Sequence, residues 1–167
     1  MIGRDDEFLA FAQASAPRHQ QAAYLMCRDW HQAQDLTQTT LTRVYLSWGR
    51  IGRAGADRYA YARTVLMRQF LDHRRLRSST EMATAQVDPA RAAVPDDPTT
   101  RLTVLAALAL LPVRDRAILV LRYWEDQSVA VTAQTLGISA ELVRTRSLRA
   151  LAQLRERLGT DLEQLRA

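Results

Sequence analysis

Arg144, Arg146 and Arg149 crowd into the stretch "LGISAELVRTRSLRA", residues 136 to 150, together with Glu141 and Thr145. Guanidinium groups fork onto phosphate oxygens and onto the acceptor edge of guanine, and glutamate or threonine can address other base edges. Side chains of these types at helical spacing read duplex DNA when a second helix seats them in a major groove. The same pattern also describes the solvated outer face of an ordinary helical hairpin. The elements around it bear on which description holds.

A helix-turn-helix requires a small residue where the two helices cross, a glycine in the tight turn, and apolar residues that bury the second helix on the first. Ala133, Gly137, Ile138 and Val143 occur in that order. Ser128 is placed to cap a short helix ending at Leu136, and Ser139 to cap a long one running toward Leu158. In that register Glu141, Arg144, Thr145, Arg146 and Arg149 lie on or beside the exposed face, with Ser139 at its start. Upstream, Thr99 or Thr100 can cap a helix over "LTVLAALALL"; Pro112 stops it and opens the next, "VRDRAILVLRYWED".

The first half is helical by the same reasoning. Apolar residues recur at helical spacing at Phe8, Phe11 and Ala12, at Leu41, Val44, Tyr45 and Trp48, and at Ala62, Val65 and Leu66, with no strand-like alternation. Gly49, Gly52 and Gly55 are expected to break the chain after Trp48, and Asp57 to cap a helix through "RYAYARTVLMRQFLDHRRLR".

The 167-residue chain is 47% hydrophobic, enough for a real core, and its net charge of +5 favours a polyanionic partner. All 23 basic residues are arginine, which in part reflects the codon bias of a GC-rich genome. Residues 1–77 hold 12 arginines against 7 acids, 78–98 hold 1 against 4, and 99–167 hold 10 against 7. The acidic middle block carries Pro89, Pro95 and Pro98 with little apolar periodicity, as a flexible linker does. The expected fold is all-α, with small helical domains over 1–77 and 99–167 joined by a linker over 78–98.

Several function classes drop out. Cys27 is the only cysteine and sits among Tyr24, Leu25 and Met26, so an internal disulfide is excluded and a buried structural thiol is expected. The acidic start "MIGRDDEFLAFAQ" lacks a signal-peptide core, and no stretch approaches the ~20 apolar residues of a membrane span, which points to the cytoplasm. His19, His31 and His73 are scattered without suitable carboxylate or cysteine partners, and no glycine-rich phosphate loop occurs. No enzymatic activity, metal or cofactor is expected.

The stretch from "LTVLAALALLPVRDR" to "LRALAQLRERL" resembles region 4 of sigma-70 type transcription initiation factors. The likeness is carried by the "LP" before an arginine-rich helix, by "LRYWED", and by the order Leu142, Val143, Arg144, Thr145, Arg146, then Arg149 and Ala150. It departs at Val131, where many relatives carry an acid, and at Ser147, usually apolar. The resemblance implies that Ser139, Glu141, Arg144, Thr145, Arg146 and Arg149 address the promoter −35 element.

"DWHQAQDLTQTTLTRVYLSW" resembles region 2 of the same family, the helix that docks on the RNA polymerase core, and implies docking through Asp35, Leu36 and Gln38. Asp35 followed by Gln38 is equally a capping-box pattern. "DRYAYARTVLMRQFLDHRRLR" is similar to the element that recognises and opens the −10 region, which implies contacts from Tyr59, Tyr61, Arg63, Arg68, Phe70, Arg74 and Arg75. Aromatic faces and guanidinium groups hold unstacked bases and the phosphates between them. Arg68 stands where many relatives use an asparagine to read a flipped base. A plain helix with its tyrosines partly in the core and Asp72 paired to Arg68 or Arg75 fits the same residues.

With both regions in order and no large domain between them, the chain resembles short actinobacterial-type members of the extracytoplasmic function group. The implied partners are RNA polymerase core, promoter DNA and, as for many relatives, an anti-sigma protein that masks both surfaces. The alternative is a self-sufficient helix-turn-helix repressor on a palindromic operator. The −10 and −35 elements lie about 25 steps apart, ~85 Å of duplex. A linker over 78–98 reaches at most ~70 Å and averages ~25 Å as a coil. Core polymerase is therefore expected to hold the domains apart, and the free chain to bind promoter duplex weakly.

Overall fold

A computed structural model describes residues 3–81 and 100–164, with side chains over 3–74 and 104–159. Among the described residues the helices are α1 (Arg4–Cys27), α2 (Trp30–Arg53), α3 (Arg58–Glu81), α4 (Thr100–Ala109), α5 (Val113–Leu119), α6 (Val129–Leu136) and α7 (Ala140–Gln164). A π-helical turn over Val120–Trp124 continues α5, and no strand occurs among the described residues.

The first half is a three-helix unit. Asp29 caps α2 by accepting from the Gln32 amide at 3.0 Å, and Asp57 precedes α3 and accepts from the Tyr59 amide at 2.8 Å. The break expected after Trp48 comes later. α2 runs through Gly49 and Gly52, and the chain turns at Gly55, whose φ of 61° is left-handed. Each helical glycine costs about 1 kcal/mol. Burial of Ile51 beside Trp48, in a core with Val44 and Ala62, outweighs that cost. Phe8 and Phe11 place their rings 5.3 and 5.2 Å from that of Trp48, and the Arg58 guanidinium lies 3.9 Å over it.

In the second half α5, α6 and α7 close around Ile118, Ala133 and Val143, with Leu136 and Ile138 packed alongside. Ser128 accepts from the Val131 amide and Ser139 from the Leu142 amide, both at 3.1 Å. Between them Gly137 adopts φ 65°, and the Ile138 amide returns to the Ala133 carbonyl at 3.1 Å. Ser147 is buried without penalty, since its hydroxyl donates to the Val143 carbonyl at 2.7 Å. α7 continues past Leu158 to Gln164. α3 likewise passes residue 77; residues 82–99, most of the expected linker, and the expected caps Thr99 and Thr100 lie outside the described side chains.

The two halves share a core. Met26, Leu66, Met67 and Phe70 of the first pack with Ala117, Val120 and Leu121 of the second. Arg116, buried at this seam, donates to the Met26 carbonyl at the end of α1 and to the Ala109 and Leu111 carbonyls at 2.8 and 3.2 Å. One guanidinium thus satisfies orphan carbonyls at the ends of helices from both halves. Burial, then the charges of Arg74 and Arg28, lowers its pKa to about 10, so it remains a cation at neutral pH. Cys27 is half-buried, and desolvation pushes its thiol pKa up, in keeping with a structural role.

Candidate nucleic-acid interface

Glu141, Arg144, Thr145 and Arg149 are exposed along α7, whereas Val143, Ser147 and Ala150 are buried behind them. Sequence reasoning missed Leu148, which is 72% exposed on the same side. The available signal was a large apolar residue among charges on a reader helix, a position suited to a thymine methyl. Ser139 is occupied as the cap of α7.

Arg146 does not stand with Arg144 and Arg149. Its side chain is 33% exposed, and it donates to Asp115 Oδ1 at 2.8 Å, tying α7 to α5. Asp115 is buried, and a desolvated carboxylate needs a paired cation. Arg146 is therefore engaged in an ion pair between α7 and α5, whereas Arg144 and Arg149 stand clear of it.

The α3 set is less open still. Phe70 is fully buried in the shared core, so its ring is closed to an incoming base. Arg63 is buried as well, its guanidinium 6.0 Å from the Tyr59 ring. Tyr61 donates to Ser47 Oγ at 3.2 Å and accepts from Arg50 at 3.3 Å. The Tyr59 hydroxyl donates to Glu125 Oε2 at 3.2 Å, across the seam. Arg68 is exposed and Arg74 half-buried, and the side chain of Arg75 lies outside the described residues. The aromatic residues form no open row, because Tyr61 is spent on α2, Tyr59 on Glu125 across the seam, and Phe70 on the core shared with α1 and α5.

On α2, Asp35 and Gln38 are exposed, but Leu36 is buried in the shared core and supports the helix from behind. Asp35 is no capping residue, because α2 begins at Trp30 under Asp29. Asp35 instead lines an open groove of about 630 Å³ between α2 and α3, along with His31, Thr39, Asp72 and His73. Among the described residues no group of ligands suits a metal ion, and no helix is long and apolar enough to cross a membrane.

His19 lies under this seam, fully buried, its ring stacked 4.7 Å from that of Tyr59. Burial, then the charges of Arg63 and Arg18, lowers its pKa from 6.5 to about 4. Tyr59 moves the other way, to about 12, through burial and the Glu125 charge. Because the unfolded chain binds a proton at His19 more readily, stability is full above pH 6.5 and falls as pH drops toward 4. Between pH 7 and pH 5 we expect a loss of about 2 kcal/mol, read as a lower urea midpoint. His19→Gln removes that part of the slope; an unchanged slope would assign the acid sensitivity to other groups.

Comparisons with known proteins agree with both halves. Residues 11–80 match the family model "Sigma-70 region 2", and residues 107–156 match "Sigma-70, region 4". The chain is 39% identical over 133 residues to the "RNA polymerase sigma-E factor" of Streptomyces antibioticus, covering 77% of this chain and 71% of that one. Identity to the protein of the same name in Streptomyces coelicolor is 38% over 131 residues, covering 75% and 71%. Among solved structures, the sigma factor RpoE of Bartonella quintana, in complex with the anti-sigma factor NepR, has a similar fold. The TM-score is 0.75 with 21% identity, over 93% of this chain and 98% of that one. Two region models in family order, together with sigma-E relatives alike over most of their length, place this chain in the sigma-70 family of transcription initiation factors, within its extracytoplasmic function group.

Proposed function

We propose that this promoter-specific initiation factor of RNA polymerase divides its work between its halves. α2 docks on the core enzyme through Asp35 and Gln38, α3 guides the opened −10 strand, and α7 reads the −35 duplex through Glu141, Arg144, Thr145 and Arg149. The working units are residues 1–77 and 99–167. The α7 face carries the reading: guanidinium groups stand exposed on a helix that Gly137 and Val143 seat against α6. As a sigma factor the chain is not an enzyme. Its place of action is the cytoplasm, where the polymerase works. An anti-sigma protein is proposed as a further partner, supported by the similar fold solved in complex with one.

Run-off transcription with purified actinobacterial core on a genomic fragment library tests this. Adding the chain is expected to create start sites that share −35 and −10 sequences, and fragments so identified should bind the holoenzyme far more tightly than the free chain in fluorescence anisotropy. Start sites that do not change on addition would overturn the reading.

A further inference from the structure

The π-helical turn puts Glu125 in the seam. Its amide reaches back five residues to the Val120 carbonyl at 2.9 Å, and its side chain is left 1% exposed between the halves. Two side chains, one from α1 and one from α3, meet it there, and the first also holds the preceding residue. The Tyr59 hydroxyl donates to Oε2 at 3.2 Å, Arg18 Nε lies 3.6 Å from the same oxygen, and another Arg18 nitrogen donates to the Trp124 carbonyl at 2.8 Å. A phenol and a guanidinium gathered on one anionic oxygen are the groups that also hold a nucleic-acid phosphate.

Tyr59 belongs to the first turn of α3, the helix read above as the guide for the −10 strand. In the packed chain that hydroxyl is occupied by a residue of the other half. The halves share an apolar core and α6 lies against α3, so α3 and α7 cannot at the same time sit on promoter elements ~85 Å apart.

We propose that Glu125 is an internal stand-in for the DNA strand: it occupies Tyr59 and Arg18, closes the halves on each other, and keeps the free chain self-inhibited until core polymerase draws them apart. This rests on the assignment of α3 to the opened strand. Arg18 thereby becomes a strand-binding residue, released when Glu125 leaves.

The test uses the full chain with Cys27→Ser, and with Leu46→Cys and Ala152→Cys as dye sites on exposed positions of α2 and α7. Energy transfer between the dyes reports closure, and a fluorescein-labelled fifteen-mer of deoxythymidine reports strand binding. Glu125→Gln is compared with Asp126→Asn, an exposed neighbour that removes the same charge. Glu125→Gln is expected to raise the open population about tenfold, the weight of one charged hydrogen bond. It should also tighten strand binding several-fold beyond Asp126→Asn. Tyr59→Phe should open the chain equally, which covers the case of a Glu125 variant that fails to fold. Unchanged energy transfer in both variants would overturn the latch, and opening without a gain in strand binding would overturn the stand-in. A wild-type chain that closes and opens as described yet directs no transcription would instead sink the initiation reading, which keeps the two failures apart.

Discussion

Phe70→Ala is expected to destabilise the chain by about 3–5 kcal/mol. Phe70 is fully buried among Met26, Met67, Ala117 and Leu121, and the surrounding helices cannot collapse into the void without losing other contacts. Against a total stability of roughly 5–15 kcal/mol, such a loss brings the chain near its folding threshold. Urea unfolding read by circular dichroism checks it, and Phe70→Leu, which keeps most of the volume, should recover more than half of the loss. The result separates two roles. A phenylalanine that stacks on a flipped base would spare stability when truncated and weaken only strand binding.

Arg146→Ala is expected to cost about 2–3 kcal/mol, below the 3–5 typical of a fully buried pair because the arginine is partly exposed. The loss comes from Asp115, left as a buried carboxylate with its cation gone. Arg149→Ala is the contrast. Its exposed side chain should change stability by no more than about 0.5 kcal/mol and weaken the −35 duplex by roughly 1–3 kcal/mol. Urea midpoints and anisotropy on the same preparations give both quantities. Replacing Asp115 and Arg146 together by leucine should return most of the lost stability, as apolar pairs do in place of buried ion pairs. If the double variant stays as unstable as Arg146→Ala, the arginine supports the fold by a route other than Asp115.

Local chemistry was the legible part of this fold. Ser128, Ser139 and Gly137 declare their roles within four residues of themselves, because caps and left-handed turns are decided by the backbone nearby. The helical class, and the fact that α7 carries an arginine face, followed from periodicity in the same way. What stayed illegible depends on distant partners. Nothing near Phe70 in sequence says that α5 will cover that side of α3, nothing near Arg63 says that it will be buried, and nothing near Arg146 names Asp115, thirty-one positions away. Gly49 and Gly52 signalled a break that the burial of Ile51 overrides. The proline-rich acidic block marked the boundary between the two helical domains, and the apolar stripe of Ala117, Val120 and Leu121 marked a buried face without saying that α1 and α3 would bury it.

The π-helical turn makes the position of Glu125 a matter of counting. Each residue added to or taken from a helix rotates everything after it by about 100°. Rewinding Val120–Trp124 as an ordinary α-helix, with no residue removed, would turn the following carboxylate by roughly 100° and off the seam, with every contact residue still present. Deleting one residue there instead trades a five-residue turn for a four-residue one and leaves that carboxylate facing the same way. Within a lineage, the loss of a single codon at this point would therefore spare the boundary, whereas a substitution that favours regular winding would uncouple the halves.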